Sequence, residues 1–207
     1  MWSNRPVGDG FLAVWRRDES TEQLLAGLVL SPAEQAYYDT IAGHPRRRKE
    51  WLTWHMMVRE FLGEDVYTDY GPQGEPVLCS HPGAISVSHS ADFVVLYYQP
   101  ERCGVDIEDC GRRFDRAAAR YITEEEWRLP GANGNNRFQA LMWCLKETAY
   151  KYAGRSGLDL LHDIRVTRIV PEHSEALAEI AGRIILRMRY EFLHDHCLTY
   201  TLGEGLE

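Results

Sequence analysis

Several signatures that would commit a chain to a special environment or partner are missing from these 207 residues. There is no basic surplus: 31 Asp and Glu outweigh 23 Lys and Arg, giving a formal net charge of −8. General nucleic-acid binding draws on a basic face that displaces counterions from phosphates, so the composition argues against it. Cysteine is sparse and odd in number, with Cys79, Cys103, Cys110, Cys144 and Cys197 showing no C-x-x-C spacing. Neither a disulfide framework nor a zinc site is expected; reduced thiols of a cytosolic protein are. No apolar run reaches bilayer-spanning length, and Met1 to Arg17 lacks the apolar segment of a signal peptide. A nucleotide P-loop, low-complexity linkers and charge-block tails are also absent. The expectation is a soluble, cytoplasmic protein with no membrane or nucleic-acid partner.

What is present is ordinary globular material, 44% hydrophobic and 26% charged, enough for a buried core. Basic residues cluster locally at Arg46-Arg47-Arg48-Lys49 and Arg112-Arg113, which leaves room for a small anionic ligand. Gly10 to Trp15 reads as an opening strand. Ser31-Pro32-Ala33-Glu34 reads as a helix start, with Ser31 as cap, Pro32 at the first helical position and Glu34 completing a capping box. A second helix is expected from about Arg47 to Leu62, stopped by Gly63, with Leu52, Met56 and Phe61, and Met57 and Val58 nearby, as its apolar positions.

The later part echoes this layout. Thr123-Glu124-Glu125-Glu126 is another capping box, Gly131 to Asn136 a loop, and a strong helix is expected from about Arg137 to Ala153, stopped by Gly154. The spacing from Ser31 to Gly63 nearly equals that from Thr123 to Gly154, which points to a duplicated unit; two common capping boxes at similar spacing are the alternative. Between them, Ala84–Ser88, Phe93–Tyr98 and Cys103–Glu108 read as an antiparallel meander, and Ile164–Ile169, Ile184–Tyr190 and Cys197–Leu202 as further strands. The fold class is α+β. Two pseudo-symmetric halves are expected, 1–100 and 101–207, each an antiparallel sheet packed with helices, with an active site in the cleft between them.

Three short segments carry candidate chemistry. In Gly104-Val105-Asp106-Ile107-Glu108, strand alternation puts Asp106 and Glu108 on one face and Val105 and Ile107 on the core face. Two carboxylates so placed are either a solvated face or a site shared by a hard cation such as magnesium. In the helix, Leu141, Leu145, Ala149 and Tyr152 form the core stripe, while Trp143, Glu147 and Lys151 form a second stripe. The Glu147–Lys151 pair is either an exposed i,i+4 contact or part of a covered, functional surface. Ser86-Val87-Ser88-His89-Ser90 closes a strand at a turn, where a hydroxyl and an imidazole can reach a phosphate or simply cap the turn. His194, His196 and Cys197 lack a third ligand group and are expected to be a loop.

Taken in order, these segments resemble the 4′-phosphopantetheinyl transferases. Ile85 to Ser90, Gly104 to Glu108, and Trp143 to Lys151 followed by Gly154, Gly157 and Leu158 resemble the family's ordered signature. Ile122 to Glu126 resembles its F-T-x-x-E segment, and Arg47 to Leu52 its R-R-x-E-F-L. The resemblance runs over roughly residues 30–160, and the length resembles the surfactin-synthetase-activating type, a fused pseudo-dimer acting as a monomer.

The resemblance implies a reaction: transfer of phosphopantetheine from coenzyme A to a serine of an apo acyl or peptidyl carrier protein, with release of 3′,5′-ADP. It implies magnesium, or manganese, held by Asp106, Glu108 and Glu147, with Glu147 also a general base and Lys151 at the departing phosphate. Ser88 and His89 are implied coenzyme A phosphate contacts, and Arg47, Arg48 or Lys49 the contact to the 3′-phosphate. Glu75 stands where the family usually has lysine, His55 where arginine is common, and the Gly154–Gly157 stretch is one residue longer. These departures bear on nucleotide affinity and leave, as the alternative, a catalytically weak homologue that binds coenzyme A or carrier proteins.

Overall fold

In the computed structural model, which describes residues 2–205, contacts divide the chain into two units, Met1–Arg102 and Cys103–Glu207. Unit 1 runs β1 (Trp2–Val7), β2 (Gly10–Arg16), α1 (Thr21–Ala26), α2 (Pro32–Thr40), α3 (Pro45–Leu62), β3 (Thr68–Tyr70), β4 (Pro76–Leu78), β5 (Ala84–His89) and β6 (Phe93–Gln99). Unit 2 runs β7 (Val105–Asp109), two 3-10 turns, α4 (Asn136–Ala153), β8 (Ile164–Val170), β9 (Glu175–Ile180), β10 (Ile184–Leu193) and β11 (His196–Glu204). The fold is α+β, with every strand pair antiparallel.

The same chain path recurs in both units. The opening strand pairs with the last one (β2 with β6, β7 with β11), and the last pairs with the one before it. Between them come a capped turn, a long helix ending at a glycine, and a hairpin. Unit 1 adds β1 outside β2, giving the sheet order β1-β2-β6-β5 with β3-β4 as a separate ribbon; unit 2 extends its hairpin into one sheet, β7-β11-β10-β9-β8.

The caps act beyond their own turns. Ser31 and Glu34 form the reciprocal capping box of α2, but the Glu34 carboxylate is buried and also receives Arg59 Nη2 at 2.7–2.8 Å and the Thr68 backbone N–H at 3.0 Å. Thr123 and Glu126 form the matching box. The Glu126 carboxylate is likewise buried, receives Lys146 Nζ at 2.8 Å and the Val166 backbone N–H at 2.8 Å. In each unit one buried carboxylate joins a cap, the long helix and the first hairpin strand. Counted back from Gly63 and Gly154, the position matching Lys146 is His55. It too is buried, with Nε2 3.8 Å from Glu34, its Nδ1 donating to Trp51 O, and burial holding its pKa well below the usual range. His55 is thus a neutral core group.

α3 buries Trp51, Leu52, Met57 and Val58 against Val94 and Leu96 of β6. Met56 and Phe61, expected as core positions, are only partly buried. α4 buries Leu141, Leu145, Ala149 and Tyr152 in the unit 2 core, as its period requires. Each fully buried leucine, valine or methionine among these contributes about 1.5–3 kcal/mol.

Several elements differ from expectation. β5 and β6 form a hairpin, but β7 does not continue the meander; it pairs with β11, because β2 already occupies the other edge of β6. The Thr123 box opens only a 3-10 turn, Glu126–Arg128, since Glu126 is drawn inward to Lys146. His196, expected in a loop, opens β11 and is buried, while Cys197 enters the strand read for it. β9 was not anticipated: Glu-Ala-Leu-Ala-Glu-Ile is built of good helix formers, and only its alternating burial marks a strand.

Removing one partner of the buried pair leaves an uncompensated charge. Glu126→Gln is therefore expected to lower the unfolding free energy by about 3–5 kcal/mol, measured by urea denaturation of the two proteins side by side.

Candidate functional site

Unit 2 collects acidic groups where β7 crosses α4. Gly104 makes the approach possible, because a Cβ there would stand 2.3 Å from the Thr148 carbonyl oxygen and 3.0 Å from the Tyr152 nitrogen. Val105 and Ile107 enter the core, and the opposite face carries Asp106 and Glu108. Asp106 is itself buried, with only 5% of its surface exposed, so a solvated strand face does not describe it.

Each carboxylate has a defined partner. Lys151 Nζ donates to Asp106 Oδ1 at 2.9 Å and to the Val105 carbonyl at 3.0 Å. Arg112 Nη1 donates to both oxygens of Glu108 at 2.8 and 2.9 Å, and Trp143 Nε1 to Glu108 Oε1 at 3.0 Å. The Arg112 guanidinium also lies over the Phe114 and Trp143 rings. Trp143, Glu147 and Lys151 are all half-buried on one stripe of α4. Burial first, then the neighbouring Asp106, push the Glu147 carboxyl up to about 7, with Lys151 opposing. Burial and Asp106 likewise raise the Glu108 carboxyl.

Among the described residues no group of three His, Cys, Asp or Glu side chains is drawn together as a metal cluster; the pairs just named hold Asp106 and Glu108 to cations of the chain itself. By chemistry the donor set still fits a hard divalent cation, since three oxygen-donor carboxylates belong to β7 and α4 and Asp106 helps to raise the proton affinity of both Glu108 and Glu147.

Unit 1 collects the opposite charge. A cavity of about 620 Å³ is lined by His44, Pro45, Arg46, Arg47, Glu50 and His89, with Gly43 at its rim. The sequence-expected basic residues separate here. Arg47 lines the cavity and donates to the Tyr37 hydroxyl at 2.9 Å. Arg48 instead stacks over the Tyr38 ring at 4.4 Å, and Lys49 Nζ donates to the Arg17 carbonyl at 2.9 Å. His89 lines the cavity, whereas Ser88 is buried within β5. Arg17 and Glu50 were given no role from the sequence, and Arg46 entered only through the basic run. Arg46 belongs to the basic run but not to the R-R-x-E-F-L match, and Arg17 lies far away in the chain. Glu75 accepts from the Gln73 backbone N–H at 2.9 Å and so braces the β3–β4 turn.

Residues 102–201 match the family model of the 4′-phosphopantetheinyl transferase superfamily. No curated protein matches the chain.

A carboxyl whose proton affinity is raised by folding makes the native state bind more protons than the unfolded chain between pH 4.5 and about 7. Its stabilising contribution is complete below pH 4.5 and is lost as the pH rises through 7. In metal-free protein, Glu147→Gln is therefore expected to melt higher than wild type at pH 8 and to converge with it below pH 4.5. Calorimetric melting across that range checks the sign; equal melting temperatures at pH 8 would contradict it.

Proposed function

We propose that this chain, whose residues 102–201 belong to the 4′-phosphopantetheinyl transferase superfamily, moves phosphopantetheine from coenzyme A to a serine of an apo carrier protein. Membership supports a transferase that uses coenzyme A. The observation that carries the finer reading is the set of Asp106, Glu108 and Glu147 with Lys151, held on β7 and α4 inside the matched segment.

In this reading the serine hydroxyl attacks the β-phosphorus of the coenzyme A pyrophosphate. The new Oγ–P bond forms as the bridging P–O bond breaks, its electron pair leaving with 3′,5′-ADP. Glu147 takes the hydroxyl proton, directly or through a water, as a positioned carboxylate can. Lys151, half-exposed beside Asp106, places an ammonium where charge grows on the departing phosphate. Asp106, Glu108 and Glu147 are the residues that would hold a divalent cation, which when bound neutralises pyrophosphate charge. Arg46 and Arg47 present guanidinium groups, and His89 an imidazole, to the phosphates of coenzyme A. Such transfers depend on positioning and charge more than on covalent help.

Intact-mass spectrometry of apo acyl and peptidyl carrier proteins, incubated with the protein, coenzyme A and magnesium, tests the reading. One added phosphopantetheine per carrier is expected. Glu147→Ala is expected to slow transfer about 10²-fold or more, and excess chelator to stop it reversibly. Coenzyme A binding without transfer to any carrier would replace the reading with a binding module.

A further inference from the structure

Glu50 sits among cations yet has no counterpart role in the chemistry above. It lies one turn after Arg46 on α3, with 8% of its side chain exposed. Oε1 accepts from Arg17 Nη1 at 3.0 Å and from Arg46 Nε at 2.8 Å, while Oε2 stands 3.4 Å from His89 Nε2. Arg17 directly follows β2, Arg46 lies in the first turn of α3 and His89 ends β5, so one carboxylate ties together three segments of unit 1 around the cavity.

We propose that Glu50 is the positioning residue of this cationic cradle and sets its affinity for a phosphate monoester, the 3′-phosphate of coenzyme A; this rests on the transfer reading. Arg17 is fixed twice more, by donating to the Ala91 carbonyl and by Lys49 on its own carbonyl, so it serves as a buried brace. Arg46 uses its Nε on Glu50 and has a side chain 69% exposed. Its remaining fork is thereby aimed rather than free, and a preorganised fork binds phosphate without the cost of ordering a long side chain. Coulomb attraction and positioning make opposite demands here. A carboxylate under an anion site weakens binding by its charge, so its removal should tighten binding unless alignment is the larger effect.

Calorimetric titration separates the two. The ligands are coenzyme A and coenzyme A lacking its 3′-phosphate, and the proteins are wild type, Glu50→Gln, Arg46→Ala and the double variant. Positioning predicts that Glu50→Gln weakens coenzyme A binding about tenfold or more, hardly alters binding of the ligand without the 3′-phosphate, and abolishes most of the further loss from Arg46→Ala. Tighter or unchanged binding, or an Arg46→Ala loss of equal size in both backgrounds, would overturn it. If Glu50→Gln does not fold, Glu50→Asp keeps the charge and shortens its reach. It should show the same selective weakening, and wild-type affinity in that variant would equally overturn the proposal. Wild-type protein that fails to bind coenzyme A at all would instead remove the transfer reading itself.

Discussion

A carboxylate taken out of water must be surrounded by donors, and both units are organised around one that is. Glu34 and Glu126 each leave their capping turn to meet a cation of the long helix and a backbone N–H of the strand that follows. The consequence for unit 2 is rotational. With Lys146 pinned inward, the next residue, Glu147, is carried about 100° around α4 onto the stripe it shares with Trp143 and Lys151. The stripe's orientation thus follows from a contact that takes no part in it.

Each unit then gathers charge of one sign and tempers it with the other. Unit 2 holds three carboxylates moderated by Lys151 and Arg112; unit 1 holds Arg17, Arg46 and His89 moderated by Glu50. The carboxylates of unit 2 in particular need that moderation, because neighbouring like charges disfavour one another's charged form. Glu147 shows burial first and the neighbouring Asp106 second acting together, its carboxyl pushed up to about 7. The chain path common to both units brings out what unit 1 lacks. If β2 is aligned with β7 on their leading glycines, Leu12 and Val14 stand where Asp106 and Glu108 do, both buried as apolar core.

Local signals in the chain marked α2, α3, α4 and most strands, but not α1. Ser31, Glu34 and Gly63 mark their own boundaries through hydrogen bonds within a few residues, and the stripe of Leu141, Leu145 and Ala149 declares its face by period alone. What could not be read was set by distant contacts. Glu126 looks like any capping glutamate until Lys146 and Val166 meet it. The partner of β7 depends on which edge of β6 is already taken. At the candidate site, the acids of Gly104–Glu108 and the Glu147–Lys151 stripe were legible because strand and helix periods place them. The cradle was only half legible, because Arg17 reaches Glu50 across 33 positions and the run Arg46–Lys49 looks uniform as letters. Structure sends Arg48 to Tyr38 and Lys49 to Arg17, and turns Arg46 and Arg47 to the cavity.

Of the 23 basic side chains, only three are lysines, Lys49, Lys146 and Lys151, and the other 20 are arginines. Each lysine is already engaged, on the Arg17 carbonyl, on Glu126 and on Asp106 respectively. Chemistry directed at side-chain amines therefore meets no bystander on this chain. An acylating label or a crosslinker that reacts with Lys151 breaks the Asp106 contact, one that reacts with Lys49 loosens the brace behind Glu50, and Lys146 is shielded by the core. Guanidinium groups carry nearly all the positive charge instead, so the chain's cationic character and its amine reactivity are governed by separate residues.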